Sequence, residues 1–239
     1  MPRFFLDFDG GGHAAITGAD ARHIAGALRM RPGEELTLCN GRGDDFACVI
    51  ESASMDRVEL KVLYKAPTAS EPTLRVTLYQ GLPKGDKLEW IIQKAVELGV
   101  SAIVPVVTRR SVARADGKEE KKRQRWQRIA DEAAGQSGRG ILPAVSAPLP
   151  FREALARLGK ENTLVFYEGG GAPLRELVGP DTRELSILVG PEGGFEKEEV
   201  EAVLAAGGRA ATLGKRILRC ETAPVAALSA LMLLSGNME

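Results

Sequence analysis

The spacing of apolar and polar positions divides this chain into two differently patterned parts. Short runs with β character stand at 3–6, 35–38, 46–51 and 58–63. Turn-forming clusters separate them, Arg31-Pro-Gly33 and Asn40-Gly-Arg-Gly-Asp-Asp45. Asp20 is suited to cap one short helix that the pattern carries to Arg29. Together these elements predict a small β-barrel over residues 1–70. The string Lys65-Ala-Pro-Thr-Ala-Ser-Glu-Pro72, with two prolines and small residues, reads as a linker.

From residue 73 to 239 strands and helices alternate. Strands are predicted at 74–79, 102–107, 163–167, 185–189 and 209–213. A helix over 87–98 places Leu88, Ile91, Ala95 and Leu98 on one face and stops at Gly99. A second, over 119–136, carries a stripe of Trp126, Ile129, Ala130, Ala133 and Ala134. A third over 196–206 ends at Gly207-Gly208, and a fourth over 224–234 opens on Pro224. This alternation predicts an α/β domain with a mainly parallel sheet covered on both faces. The last helix is apolar nearly all round, from Val225 through Leu233. Such a helix is either central or covered by a second copy of the chain, and its terminal position favours the second copy.

Composition narrows the class. A chain of 239 residues suits one large or two modest domains. No run approaches the ~18 apolar residues of a membrane span. The start, Met-Pro-Arg-Phe-Phe, lacks a signal-peptide pattern, so a cytoplasmic protein is expected. Cys39, Cys48 and Cys220, with only His13 and His23 beside them, predict neither a disulfide framework nor a metal site. The net charge is zero, yet residues 73–145 hold 14 basic and 8 acidic side chains. The excess gathers around Arg109, Arg110, Arg114 and the run from Lys118 to Arg128. Lys121, Lys122, Arg123 and Arg125 read as a solvated helix face. Arg109 and Arg110 directly follow a predicted strand, where open α/β sheets build sites.

Two segments carry the candidate chemistry: Leu188-Val-Gly-Pro-Glu-Gly-Gly-Phe195, and Leu213-Gly-Lys-Arg-Ile-Leu-Arg-Cys-Glu-Thr-Ala223. Each follows a strand and leads into a helix. The first is not the GxGxxG of a dinucleotide turn, which argues against an oxidoreductase. The second is not a P-loop, since Arg209 stands where that loop needs glycine and Arg216 where it needs Ser or Thr. Gly190, Gly193 and Gly194 let backbone groups approach a ligand, while Leu188, Leu213, Ile217 and Leu218 can enclose an adenine. Lys215, Arg216, Arg219 and Glu221 bring charge to an otherwise apolar strand end, where it needs a partner or solvent.

These two strings resemble the signature of the RsmE family, SPOUT-class methyltransferases that modify N3 of a uridine in 16S ribosomal RNA. The similarity continues in Lys84-Gly-Asp-Lys-Leu-Glu-Trp-Ile-Ile-Gln-Lys-Ala-Val-Glu-Leu-Gly-Val100, Arg125-Trp-Gln-Arg-Ile-Ala130, Gln136-Ser-Gly-Arg139, His23-Ile24 and Leu28-Arg29-Met30. It thus spans nearly the whole chain. Cys220, where relatives often carry Thr, and Gly135, where a larger residue is common, are departures that remove no evident chemistry.

The resemblance implies an N-terminal PUA-like barrel and a C-terminal SPOUT α/β domain with a trefoil knot, paired as a homodimer. It implies S-adenosylmethionine as methyl donor and the 16S rRNA of the small ribosomal subunit as partner. Carried over by position, Tyr167 and Glu168 end the first knot strand. Leu188, Val189, Gly190, Pro191, Glu192 and Gly193 form the second donor segment. Leu213, Gly214, Ile217, Leu218 and Arg219 form the third. Uracil N3 bears a proton, so Arg219 is the expected cation favouring the anion, with Arg139 a second candidate. Glu221 is expected as a base or as a clamp on Arg219. Arg3, His23, Arg29, Arg42, Arg109 and Arg110 are candidate RNA contacts. Competing expectations are another SPOUT target, or a non-catalytic RNA-binding assembly factor on the same fold.

Overall fold

A computed structural model describes residues 1–111 and 119–238; Arg114 and Lys118 of the basic run lie outside the described residues. The chain forms two compact units, Met1–Glu71 with Ala134–Leu142, and Pro72–Ala133 with Pro143–Glu239.

The first unit is a five-stranded sheet built from β1 (Arg3–Phe5), β2 (His13–Thr17), β3 (Glu35–Cys39), β4 (Asp44–Ala53) and β5 (Arg57–Pro67). Its order is β1-β3-β4-β5-β2. The β1–β3 pair is parallel and the other ladders are antiparallel. Alternate residues turn one way, so Ile16, Leu36, Leu38, Ile50, Val58 and Leu60 meet Phe4 and Phe46 in one buried cluster. Each fully buried side chain of this kind contributes about 1.5–3 kcal/mol. No ladder joins β1 to β2 among the described residues, so the predicted barrel is an open five-stranded order. At three residues, β1 is short for a closing strand.

Three expectations need correction here. Strand β2 escapes the sequence pattern because Gly10-Gly-Gly12 precede it and only Ala14 and Ile16 are buried. The helix expected over 20–29 is one short turn, α1 (Gly18–Arg22), continued by a wider π turn over His23–Ala27. Asp20 lies inside α1 and does not cap it; Thr17 holds the cap position. The linker starts later than its composition suggests. Lys65 and Ala66 pair with Phe46 and Asp45 in the β4–β5 ladder, and the Lys65 ammonium sits 2.9 Å from Asp44 and above the Phe46 ring.

The segment 134–142 returns to the first unit from the end of a helix, which no sequence pattern announced. Glu71 holds it, accepting the backbone N–H groups of Gly140 and Ile141 at 2.8 and 3.0 Å and an Arg139 guanidinium N–H at 2.8 Å.

The second unit follows the predicted alternation. In chain order it holds β6 (Arg75–Gly81), α2 (Lys87–Glu97), β7 (Ala102–Val107) and α3 (Glu119–Gln136), whose last residues belong to the first unit. Then come β8 (Ala144–Val145), β9 (Leu149–Pro150), α4 (Phe151–Leu158), β10 (Thr163–Phe166), β11 (Ala172–Pro173) and α5 (Leu174–Leu177). Last are β12 (Glu184–Val189), α6 (Lys197–Ala205), β13 (Arg209–Thr212) and α7 (Thr222–Leu234). The sheet order is β11-β13-β10-β12-β6-β7-β8, with β9 also on β7, and every ladder is parallel. Helix α4 was not predicted, although Ala154 and Leu158 stand four apart on its buried face.

Helix α7 buries Pro224, Ala227, Leu228, Leu231 and Met232. Leu233 remains 62% exposed, so the chain alone does not cover all of this apolar helix. Among the described residues no helix is long and apolar enough to cross a membrane.

Candidate functional site

Strands β10, β12 and β13 are parallel, with β10 paired to both of the others, so all three end at one edge of the sheet. That edge is where open α/β sheets take ligands. The segments that follow these strands line a cavity of about 550 Å3. Tyr167, Glu168 and Gly170 come from the first, Gly190 to Phe195 from the second, and Leu213 to Glu221 from the third.

Of the expected donor residues, the structure brings Tyr167, Glu168, Val189, Gly190, Pro191, Glu192, Gly193, Leu213, Gly214, Ile217, Leu218 and Arg219 to this one cavity. Leu188 is the exception. It is buried in the core with Tyr79, Val104 and Val165, because successive β12 side chains point to opposite faces. Phe166, Ala211 and Thr212 at the strand ends, and Lys87 from α2, also line the cavity and were not anticipated. The signal for Lys87 was present in the shared string 84–100, but periodicity read that string only as a helix.

The second segment is fixed from two sides. Gly194 has φ +69°, and a side chain there would start 3.1 Å from the Glu168 carboxylate. Arg110 donates to the Gly193 carbonyl at 2.8 Å and to both oxygens of Glu196. That pairing holds the Glu196 carboxyl below the usual range and the guanidinium above it. Glu199, 4% exposed, accepts the backbone N–H groups of Arg109 and Glu196 at 3.0 Å each. The end of β7 is thereby tied to the start of α6.

On the other side, Lys87 lies 2.9 Å from Glu192 and 3.5 Å from Glu221. Burial opposes ionisation of Glu192, but Lys87 and the backbone N–H groups of Glu192 and Lys84 outweigh it and keep the carboxyl below its usual range. Glu221 is also lowered, first by the Cys220 thiol that donates to it at 3.1 Å and then by its own backbone N–H and by Lys87. Cys220 is pushed up to about 12, first by burial and then by that carboxylate.

An expected result follows for the thiols. Cys39 and Cys48 are buried and raised as well, burial being the first cause. At pH 8 the folded chain should leave all three unmodified by iodoacetamide, whereas the chain in urea should take three labels. Intact-mass spectrometry reads the difference. A labelled Cys220 in the folded chain would contradict this account of the site.

Arg219 is exposed at the cavity and, among the described residues, its side chain has no hydrogen-bond or ion-pair partner. The expected Glu221 clamp on Arg219 is therefore corrected, since Glu221 engages Lys87 and Cys220. Arg139 is also corrected. It is 3% exposed, belongs to the first unit, and is paired with Glu71, whose ionisation it favours against burial. A charge so enclosed and paired is a structural brace.

The expected RNA contacts separate in the same way. Arg3 is bound through two nitrogens to Asp45 at 2.7 Å, and Thr68 donates to the same carboxylate. Arg110 braces the second segment. Arg42 pairs with Asp7 and Asp9 at the surface, and Arg109 with Glu198 at 3.4 Å. His23 is exposed, with its ring edge-on to Phe4. Arg29 is exposed, unpaired among the described residues, and the one described residue other than glycine with a positive φ, +55°. Among the described residues no group of three or more His, Cys, Asp or Glu could hold a metal ion.

A parallel sheet with a glycine-rich ligand cavity at its C-terminal edge, preceded by a small β-sheet unit, is the plan of a two-domain RNA methyltransferase. The RNA methyltransferase domain family matches residues 70–232, and the RNA methyltransferase PUA domain family matches 16–63. The chain belongs to the ribosomal RNA small subunit methyltransferase E family. The protein of that name from Bacillus subtilis is 40% identical over 226 residues, covering 91% of this chain and 88% of its own. A ribosomal RNA small subunit methyltransferase E from Neisseria gonorrhoeae, crystallised bound to S-adenosyl methionine, is 36% identical, covers 98% of both chains and superposes with a TM-score of 0.88. A Legionella pneumophila protein solved with the bound cofactor SAM is 31% identical, covers 97% of this chain and 96% of its own, and gives a TM-score of 0.83.

Proposed function

We propose that this protein methylates N3 of one specific uridine in 16S rRNA of the small ribosomal subunit, using S-adenosylmethionine, in the cytoplasm. The observation that carries the reading is the cavity at the ends of β10, β12 and β13, where the donor segments of the family signature converge. Its volume of about 550 Å3 lies within the usual range of small-molecule sites. Val189, Leu213 and Leu218 can enclose an adenine while the backbone at Gly190 and Gly193 reads its edge. Glu168, Glu192 and Glu221 offer negative charge to a cationic ligand. The residues present therefore fit the donor. Bound there, it supplies a methyl on a positively charged sulfur, which departs as a neutral thioether.

The chain's own task is to make N3 nucleophilic and to align it. Removing the N3 proton leaves an anion, which a nearby guanidinium stabilises. Arg219, exposed and unpaired at the cavity among the described residues, is the group assigned this role. Glu221, with its lowered pKa, is a weak base, so the burden falls on Arg219 and the proton passes to solvent. N3 lies on the pairing edge of the base, so the target uridine must be unpaired or turned out of its stack. His23, Arg29, Arg42 and Arg109 are the contacts proposed for RNA. The pairs of Arg42 and Arg109 lie at the surface, where solvent screens them, so phosphate can displace their partners.

The working unit is proposed to be a homodimer, with the exposed side of α7 against a second copy, as Leu233 suggests. The chain is proposed to be threaded as a trefoil knot between the second and third donor segments. Both readings rest on family membership, the dimer also on the exposed side of α7 and the knot on the arrangement of β10, β12 and β13.

The test is incubation with radiolabelled donor and small subunits from a strain lacking this gene. Label should enter one uridine of 16S rRNA, and mass spectrometry of the digested RNA should place it on the base at N3. A mark on ribose or on another base would replace the proposed target. No incorporation by a folded, donor-binding protein would remove the catalytic reading.

A further inference from the structure

The first half of the second donor segment is gripped by the last residues of β6 and the chain that follows them. Gln80, fully buried, donates its side-chain amide to the Gly190 carbonyl at 3.2 Å. Gly81 lies directly against Pro191. The backbone N–H of Lys84 points to the Glu192 carboxylate at 3.2 Å, and Lys87 reaches the same carboxylate at 2.9 Å. Residues 80, 81, 84 and 87 thus meet 190, 191 and 192 in order. Lys87 alone goes further. Among the described residues it is the one side chain whose ion pairs reach carboxylates of both the second and the third donor segments, Glu192 and Glu221.

We infer that Lys87 is a positioning residue that couples the two donor segments, holding Glu192 and Glu221 as one wall of the cavity. This rests on the donor reading above and adds a residue and a role to it. Physically, one ammonium between two carboxylates replaces their mutual repulsion with two attractions. Because each carboxylate belongs to a different segment, the pairs fix the distance between segments. Positioning of this kind acts on ligand affinity before any chemistry occurs. The titratable groups that face one another here are Lys87, Glu192, Cys220 and Glu221.

The experiment is calorimetry of the full-length protein with S-adenosylhomocysteine, the demethylated product, across pH. Lys87→Met should weaken binding about tenfold, a coupling of ordinary size for a close ion-pair network. Lys87→Arg should stay within about threefold. Glu192→Gln should weaken binding similarly, and the double variant Lys87→Met/Glu192→Gln should be no worse than the weaker-binding single variant. The acid limb carries the second readout. Both carboxyls are lowered in the wild type, so the wall should survive acidification to below the ordinary Glu value of 4.5. Without Lys87 the burial of Glu192 is less opposed, its pKa rises, and the loss of binding on acidification should move to higher pH. A merely structural lysine would not move that limb. Additive losses in the double variant, or an unshifted limb in a Lys87→Met protein whose melting matches wild type, would overturn the inference. If Lys87→Met does not fold, Glu192→Gln with an unchanged limb and unchanged affinity overturns it as well. Wild-type protein that binds no product would instead strike the donor reading itself.

Discussion

Gly81→Ala is expected to weaken donor binding by ten- to a hundredfold while leaving the chain folded. A Cβ at Gly81 would stand 2.4 Å from Pro191 Cδ and 2.6 Å from Pro191 N. Neither atom is the end of a flexible side chain. Pro191 belongs to the segment that Gln80, Lys84 and Lys87 also hold, so the backbone from 190 to 192 must move. Overpacking of this kind costs about 1–3 kcal/mol. Each ~1.4 kcal/mol that falls on the ligand-competent geometry is a factor of ten in affinity. Gly179→Ala is the matched control, since nothing lies within 4 Å of the Cβ it would add. Calorimetry with S-adenosylmethionine and a thermal melt read both variants. Wild-type affinity in Gly81→Ala would mean that the segment's position does not govern binding.

Arg219→Ala should separate binding from chemistry. The guanidinium has no partner among the described residues, so its removal leaves no orphaned charge and should not change the melting temperature measurably. The backbone at Gly190 and Gly193, proposed to read the adenosyl group, is untouched, so donor affinity should stay within about threefold. Methyl transfer to the small subunit should fall by at least about a hundredfold, the usual cost of removing one donor aimed at developing negative charge. Arg219→Lys, which keeps the charge but loses the planar fork, should recover part of the rate. Unchanged turnover in Arg219→Ala would transfer the role to another group, and Lys215 and Arg216 line the same cavity.

Both variants depend on long-range contacts, made or absent, that sequence and structure reveal unequally. Strands β6, β7, β10, β12 and β13 were legible because period and turn chemistry are local properties of a few consecutive residues. The two cavity-lining segments were legible for the same reason, since glycines and charges cluster within 190–194 and 214–221. Leu188 was misassigned because adjacency in a motif does not say which face of a strand a residue occupies. Helix α4 and strand β2 were missed because each shows only two buried positions. Arg139 was misassigned because a lone arginine after a helix looks alike whether it is free or enclosed by Glu71.

What the amino-acid order determined by itself was the division into a β unit and an α/β unit, the parallel sheet, and the two glycine- and charge-bearing segments that the structure brings to one cavity. What tertiary structure alone decided was which charges are already taken. Gln80 meets Gly190 across 110 residues of chain, Lys84 meets Glu192 across 108, and Glu71 meets the 139–141 turn across about 70. Such pairings arise from strand order and from the return of one segment to an earlier unit. They leave no periodic trace along the chain, and they determine that Arg219 stands free at the cavity while Arg3, Arg110 and Arg139 do not.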